Sequence, residues 1–252
     1  MEQDKSAPRF GAPLMPQEHG AWAMVIAPWL ISAGVTGFSW RQVLLLVGML
    51  LLYMAFAAAL QYPRAHQKRR TLRPLRWAVI YLLLAVAPLY FTLYGKLEVL
   101  WIGAAAGIAL PVELVFLRLG KERALLNGAV SITALTTAAL VSYVVGRGRL
   151  DGQAWLIWGL SLAFFYGSLL FVKSMIRQRS QRRFYWVAVL YAVVAPAAVG
   201  VALSPLLAVG FLPATLRVFF CWGRSLKPAI LGAVEGVSTV VFVVVTIIAL
   251  TL

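Results

Sequence analysis

Nine apolar runs, each about 20 residues long and therefore able to cross a bilayer as a helix, follow one another along this chain of 252 residues. Hydrophobic residues make up 62% of the sequence and charged residues only 12%, about half the share in soluble globular proteins. The sequence therefore predicts an all-α, polytopic membrane protein. The predicted spans are 20–37, 41–62, 76–94, 98–117, 125–146, 154–173, 185–203, 204–221 and 229–251, with the seventh and eighth the least clearly separated.

The positions of Lys and Arg orient these spans. With the N-terminus in the cytoplasm, the external segments hold only Arg41, Lys96, Arg147 and Arg149 of the 23 basic residues. An excess of basic residues in cytoplasmic loops is the usual pattern of membrane proteins. We therefore expect a cytoplasmic tail at 1–15, a single transmembrane domain at 16–252 and an external C-terminus. The net charge of +15 follows from this topology, so no nucleic-acid partner is expected.

The two halves of the chain resemble each other. Short matching segments recur at a nearly constant separation: 84–88 with 192–196, 110–111 with 212–213, and 126–130 with 230–234. Spans two to five thus look like spans six to nine, and the first span is left over. Four spans return the chain to its starting side, so the sequence predicts two parallel four-helix repeats related by an axis near the membrane normal.

The conspicuous polar and charged groups within the predicted spans cluster in the cytoplasmic third, whereas the outer halves are almost purely apolar. Ionisable residues inside a membrane are costly and are functional candidates. Their common depth predicts a pocket that opens to the cytoplasm and has an apolar floor. The candidate catalytic residues are Glu18, His19, Glu113 and Glu235, and the candidate ligand-binding residues are Lys173, Arg177, Arg123 and Asn127.

Purely structural explanations exist for several of these residues. They are a solvated helix start for Glu18 and His19, contacts with lipid head groups for Lys173 and Arg177, and an ion pair with Arg118 for Glu113. Glu235 is different, because the nearest preceding basic residue, Lys227, is too far along the chain to pair with it locally. We therefore expect Glu235 to face the interior of the bundle.

The sequence assigns no cofactor. The single cysteine, Cys221, excludes an internal disulfide and a thiolate metal cluster. A hard-metal site formed by the acids and His19 is left open. Phosphate-binding loops, zinc-protease helices and serine-hydrolase elbows have characteristic sequences, and none of them occurs in this chain.

The segment Pro16-Gln17-Glu18-His19-Gly20-Ala21-Trp22 opens the first span and combines an acid, an imidazole and an aromatic ring. This segment resembles the YwiC-like family of bacterial membrane proteins. Further matching segments are 122–127, 171–177 continuing to 182–184, and 226–235. The resemblance covers nearly the whole chain and implies an integral protein of the bacterial cytoplasmic membrane. It implies no particular chemistry.

A more distant resemblance concerns architecture. Nine spans with the N-terminus inside, arranged as two four-helix halves, are similar to the UbiA-type intramembrane prenyltransferases. In those enzymes, the loops after the second and sixth spans carry aspartate-rich motifs that hold magnesium and an isoprenoid diphosphate. The corresponding segments here, 61–70 and 173–179, contain no aspartate. The resemblance therefore implies an anionic lipid ligand held by Lys and Arg, without the magnesium chemistry.

Three hypotheses follow. The first is a protein that binds or modifies an anionic amphiphile, either a phospholipid or an isoprenoid phosphate, in a pocket facing the cytoplasm. The second is a proton-coupled transporter or exporter in which Glu113 and Glu235 carry protons in opposite halves. The third is a non-catalytic assembly protein that docks partners on its basic loops. Membrane lipids are expected partners under all three.

Overall fold

The computed structural model describes residues 13–16, 19–69, 71–176, 181–221 and 228–252. In this part of the chain there are twelve helices and no strand. The helices are α1 His19–Thr36, α2 Trp40–Arg69, α3 Arg73–Leu93, α4 Leu97–Gly107, α5 Ala109–Arg118, α6 Leu125–Thr136, α7 Ala138–Arg147, α8 Gly152–Ile176, α9 Arg182–Ala202, α10 Pro205–Val209, α11 Leu212–Cys221 and α12 Pro228–Thr251.

Seven stretches of the described chain are helical, long and apolar enough to cross a membrane. They are Trp40–Pro63, Arg73–Leu93, Leu97–Arg118, Leu125–Arg147, Gly152–Met175, Arg182–Ala202 and Ala229–Thr251. Two shorter apolar helical stretches, Gly20–Thr36 and Pro205–Cys221, correspond to the first and eighth predicted spans. The prediction of an all-α protein is therefore confirmed for the described residues, and seven of the nine predicted spans are long apolar helices.

Two of the predicted spans are broken by proline. Proline cannot bond to the carbonyl four residues earlier, and its ring clashes with that carbonyl. α4 ends at Gly107, four residues before Pro111, and α10 ends at Val209, four residues before Pro213. The Leu-Pro pairs at 110–111 and 212–213 thus lie at the start of the second helical segment in each broken span.

A third break, at Thr137 between α6 and α7, involves no proline. The Thr136 hydroxyl donates to the carbonyl of Ile132 at 2.8 Å, and the Thr137 hydroxyl donates to the carbonyl of Ala134 at 2.6 Å. Threonine hydroxyls that bond back to carbonyls of the preceding turn tend to bend helices. These two bonds account for the interruption of the helix at Thr137.

The centre of the bundle is formed by α1 and α7. α1 packs against α2, α6, α7, α8 and α12, and every residue of α7 from Ala138 to Val145 is buried. A helix that is apolar on all sides belongs in the interior. Beside them, the rings of Phe164 in α8 and Phe242 in α12 stack with centroids 4.2 Å apart. α1 is thus short but central.

We call the end of the bundle where α5 ends, α6 begins and α8 ends the basic end, because Arg118, Arg123 and Lys173 lie there. The Lys173 ammonium donates to the carbonyl of Arg123 at 2.7 Å, which joins α8 to the connection between α5 and α6. The opposite end contains the end of α1, the start of α2 and the end of α7. The two ends differ in the kind of polar side chain that they contain.

The opposite end carries a buried network of uncharged polar side chains. The Trp29 indole donates to the carbonyl of Gln42 at 2.9 Å, and the Gln42 amide donates to the Thr36 hydroxyl at 2.9 Å. The Ser142 hydroxyl donates to the carbonyl of Trp29 at 3.2 Å, and that of Ser32 to the carbonyl of Ala139 at 2.8 Å. Ser32, Gln42 and Ser142 are completely buried. The prediction of almost purely apolar outer halves was therefore wrong. These side chains lie on three different helices, and they come together only in the folded bundle.

The network leaves no room at Gly146 of α7. A Cβ atom there would lie 2.6 Å from Cβ of Thr36 and 2.9 Å from Nε2 of Gln42. We expect Gly146→Ala to destabilise the protein by about 1–3 kcal/mol, which is the usual range for overpacking. The measurement is the apparent melting temperature of the purified protein in detergent.

The control for this experiment is Gly103→Ala in α4, where an added Cβ would meet nothing within 4 Å. This variant should melt at or slightly above the wild-type temperature, because alanine favours helices over glycine. Equal melting temperatures for wild type and Gly146→Ala would contradict the packing described here.

Candidate functional site

Four membrane helices, α8, α9, α11 and α12, meet around a buried arginine. Arg217, in the last turns of α11, is only 4% exposed. Its Nη1 lies 2.9 Å from Oε2 of Glu235 in α12, and its Nη2 donates to the Ser168 hydroxyl of α8 at 2.8 Å. Ser168 precedes Lys173 on α8 by between one and two turns, so the pair lies in the half of the bundle nearer the basic end.

Two aromatic rings of α8 complete the surroundings of the guanidinium. The guanidinium carbon lies 4.9 Å from the ring centroid of Phe171 and 6.0 Å from that of Phe164. An arginine at such distances is attracted by the electron-rich ring faces. The charge is thus held by one carboxylate, one hydroxyl and two rings, which together offset part of its desolvation.

The hydrogen bonding of the ion pair is incomplete. Nε and Nη1 of Arg217 and Oε1 of Glu235 are all buried, and none of them has a hydrogen-bond partner within the described part of the chain, although Nη1 lies 2.9 Å from Oε2 as an ion-pair contact. A guanidinium can present two parallel N–H groups to a carboxylate, but here only one carboxylate oxygen contacts it. The carboxylate therefore leaves the hydrogen-bonding capacity of the guanidinium partly unused.

A narrow cleft runs between α8, α9 and α11 beside the ion pair. Its lining is mainly apolar, with Arg217 as the charged member, and consists of Ala163, Phe164, Gly167, Tyr191, Ala192, Ala195, Pro196, Phe211, Ala214, Thr215, Arg217 and Val218. The Tyr191 hydroxyl donates to the carbonyl of Ala163 at 2.9 Å, and the Thr215 hydroxyl donates to that of Ala192 at 2.8 Å. These two bonds join the helices that form the walls of the cleft. They also engage the hydroxyls of Tyr191 and Thr215, so Arg217 is the charged group that the cleft offers to a ligand.

A second polar contact, also between a broken span and the helix that follows it, lies in the first half of the chain. The Ser131 hydroxyl of α6 donates to Oε1 of Glu113 in α5 at 2.5 Å and also reaches the carbonyl of Asn127 at 3.1 Å. The Asn127 amide donates to the carbonyl of Glu122 at 2.9 Å, whereas its buried Oδ1 has no partner in the part of the chain that the structure describes. Glu113, Asn127 and Ser131 therefore form one cluster at the start of α6.

The structure brings some of the predicted site residues together and separates others. Glu113 and Asn127 share the cluster on α5 and α6, and Lys173 is buried and bound to the backbone of Arg123, whose own side chain is exposed. Glu235 faces the interior, as expected, but its partner is on another helix. Glu18 and Arg177 lie outside the described residues, and so does the side chain of His19. Their predicted roles remain predictions.

Sequence reasoning did not include Arg217 or Ser168 among the site residues. A signal for Arg217 was present, because it is an isolated cation within an apolar stretch and Glu235 is an isolated acid in the next one. Two opposite charges that lack local partners in neighbouring spans are expected to find each other. Ser168 had no such signal, since serine is common in apolar helices. In the described part of the chain, no three His, Cys, Asp or Glu side chains come together as a metal-ligand group.

The fold and the site define a multi-pass α-helical membrane protein with an intramembrane ion pair. The family described as YwiC-like protein matches residues 15–143. The chain is 31% identical to the uncharacterized protein YwiC of Bacillus subtilis (strain 168), a match that covers 92% of this chain and 96% of the relative. It is 26% identical to an uncharacterized protein of Haemophilus influenzae, over 94% of this chain and 98% of the relative.

The chain therefore belongs to the YwiC-like family, and its relatives are bacterial. The full-length matches also include the second half, where Arg217 and Glu235 lie. No solved structure matches the chain.

The ion pair leads to a prediction about stability. Glu235→Leu would leave the Arg217 guanidinium buried without its counter-charge, and removal of one partner of a buried pair typically costs about 3–5 kcal/mol. We expect this variant to lower the apparent melting temperature strongly. The double variant Arg217→Met/Glu235→Leu should recover most of the loss, because an apolar pair of similar volume needs no charge compensation.

The matched control is Glu98→Leu at the exposed start of α4, which should change the melting temperature little. If the double variant is as unstable as the single variant, the ion pair is not what makes Glu235→Leu costly.

Proposed function

We propose that this protein binds an anionic amphiphile, with the apolar chain along the mainly apolar surface where the narrow cleft between α8, α9 and α11 opens, and the acidic head group at the basic end. The main supporting observation is the buried Arg217 guanidinium, which lines a cleft whose other walls are mainly apolar. Ligand sites commonly combine an apolar lining with a few placed polar groups. A phospholipid and an isoprenoid phosphate both have this combination of a long chain and a phosphate ester.

Other basic groups lie closer to the end of the bundle than Arg217 does and belong to the same proposed site. Lys173 is buried near the end of α8, and its ammonium contacts a backbone carbonyl rather than extending away from the bundle. Arg123 is exposed beside it. We assign Lys173, Arg123 and Arg177 to the attraction of the head group, with Arg217 as the deeper contact. Basic groups at a membrane surface attract anionic lipids in this way.

The proposed topology has the basic end in the cytoplasm, the N-terminus inside and the C-terminus outside, over nine spans. The repeat is part of the same proposal. Pro88 and Pro196 are both buried within helices, α3 and α9, and both broken spans carry the Leu-Pro pair at the start of their second segment. These shared features support two parallel four-helix halves around α1, in an arrangement like that of the UbiA-type proteins.

The test is native mass spectrometry with lipid analysis of the protein purified in mild detergent. We expect wild type to retain a lipid with a phosphate ester. The double variant Arg217→Gln/Glu235→Gln should retain much less, because it keeps a neutral, hydrogen-bonding pair but removes the buried cation. The exposed Arg118→Gln on α5 serves as the control and should retain as much lipid as wild type.

Wild-type protein without bound lipid, or equal lipid in all three proteins, would contradict the proposal. Lipid loss in Arg118→Gln as large as in the double variant would indicate nonspecific charge attraction. The folded state of each protein is checked by its elution from a sizing column.

Proton-coupled transport is a second candidate, and one observation favours it. The buried polar groups Ser32, Gln42 and Ser142 give the opposite end of the bundle hydrogen-bonding side chains, which a route across the membrane requires. In this reading, Glu113 and Glu235 are proton-carrying carboxylates in the two halves. Each lies between a broken span and the helix that follows it.

The transport hypothesis predicts that a pH gradient drives a lipid from one leaflet to the other in the membrane of vesicles that contain the protein. The experiment uses proteoliposomes with phosphatidylglycerol that carries a fluorescent label on its head group. An added quencher reaches only the outer leaflet, so the fraction of label that it quenches measures the movement between leaflets. Transport should accelerate in a pH gradient, and Glu113→Gln should abolish that acceleration without lowering lipid retention. Identical rates with and without a gradient would leave binding as the preferred function.

A further inference from the structure

We infer that the Arg217 site takes up a singly charged phosphate ester together with one proton, which Glu235 accepts when the ligand displaces it from the guanidinium. This inference rests on the proposed function, because it concerns how the same site binds its ligand. Beyond the proposed function, it specifies the net charge of the bound ligand and predicts that binding depends on pH. Three observations carry it.

The first observation is that Glu235 already occupies the position that an anionic ligand would take. Its Oε2 lies 2.9 Å from Nη1 of Arg217, and the Arg217 side chain is only 3% exposed. A phosphate oxygen that contacts Nη1 must therefore compete with the carboxylate for the same position. Glu235 is thus an internal competitor for the ligand.

The second observation is that the competitor fits its partner poorly. Oε1 of Glu235 and Nε of Arg217 are buried without hydrogen-bond partners among the described residues, although a guanidinium fork can hold two oxygens at once. A phosphate ester presents two oxygens in the geometry that arginine prefers. Exchange of the carboxylate for a phosphate can therefore complete the hydrogen bonding of the guanidinium.

The third observation is the charge balance of the site. The pair of Arg217 and Glu235 is neutral, so a monoanion added to it would leave one uncompensated negative charge in a buried place. Burial of an unpaired charge is strongly unfavourable, and a carboxyl group in such a place takes up a proton instead. The proton comes from water and ends on the Glu235 carboxylate, so a neutral pair plus a monoanion plus a proton gives a neutral site.

Other titratable groups do not alter this balance. The helices that pack against α11 and α12 are α1, α8, α9 and α10. In the described residues, their titratable side chains are Tyr166 and Lys173 of α8, and Tyr185, Tyr191 and the exposed Arg182 and Arg183 of α9, while α11 itself carries Cys221. Tyr166 pairs with the Thr133 hydroxyl, Tyr191 donates to Ala163, and Lys173 is bound to the Arg123 carbonyl. Among the residues that the structure describes, Arg217 is therefore the group that contacts the Glu235 carboxylate as an ion pair.

The inference distinguishes two kinds of phosphate lipid. A phosphodiester such as phosphatidylglycerol carries one charge at all neutral pH values. A polyprenyl monophosphate carries nearly two charges above about pH 7, because its second pKa is about 6. A site that accepts one negative charge requires the monoester to take up a second proton before it binds. The pH dependence of binding therefore reports both the site and the ligand class.

The experiment measures the affinity of delipidated, detergent-solubilised protein for dioleoylphosphatidylglycerol and for a short polyprenyl monophosphate between about pH 6.5 and pH 8.5. Uptake of one proton on binding changes the affinity about tenfold per pH unit. For wild type, we expect affinity for the phosphodiester to fall about tenfold per unit as the pH rises. Affinity for the monoester should fall by up to about a hundredfold per unit.

Glu235→Gln removes the competing charge but keeps a group that can contact Arg217. This variant should bind the phosphodiester equally well at all these pH values, and more tightly than wild type at the highest pH. Its affinity for the monoester should still fall about tenfold per unit, because the ligand's own proton remains. Glu98→Gln on the exposed start of α4 should behave as wild type.

Phosphodiester binding that is independent of pH in wild type would overturn the inference and leave the proposed function intact. Absence of binding of either lipid to wild type at every pH would instead overturn the proposed function. If Glu235→Gln does not fold, the comparison of the two lipids on wild type still decides, since equal slopes for both contradict a site limited to one charge.

Discussion

Inside a membrane, every backbone polar group and every charge must find its partner within the protein, because hydrocarbon offers none. The helices of this chain satisfy the backbone, and several of its interior polar side chains are joined in pairs and networks between helices. The network around Gln42 ties α1, α2 and α7 together at one end. The ion pair of Arg217 and Glu235 ties α11 to α12 nearer the other. The positions of these contacts decide which helices can be neighbours.

The breaks in the helices serve the same requirement. Pro213 interrupts the helix after Val209, and α11 packs as a separate segment against α8, α9 and α12. This packing brings the guanidinium of Arg217 to Ser168 and Glu235. A backbone constraint of proline thus helps to place the charged group that anchors the site.

The apolar runs predict most of the helices, because membrane spans are determined by local composition. The interior position of Glu235 was also predictable, since no nearby cation could explain it. Its partner was not, because Arg217 lies on another helix and the contact depends on how α11 and α12 pack. Ser32, Gln42 and Ser142 escaped notice for the same reason. Single polar residues in apolar runs acquire meaning only when folding brings them together.

A buried ion pair is not the most stable way to hold two helices together, because apolar side chains of similar volume avoid the desolvation cost. Within the described residues, the pair in this protein is further weakened because Nε in Arg217 and Oε1 in Glu235 have no hydrogen-bond partners. Helix packing alone therefore gives a poor account of why these two residues are charged. Arg217 also lines the cleft, where a ligand with two acidic oxygens could satisfy the guanidinium more fully than one carboxylate oxygen does. The incomplete hydrogen bonding of the ion pair would then favour exchange of the internal anion for an external one.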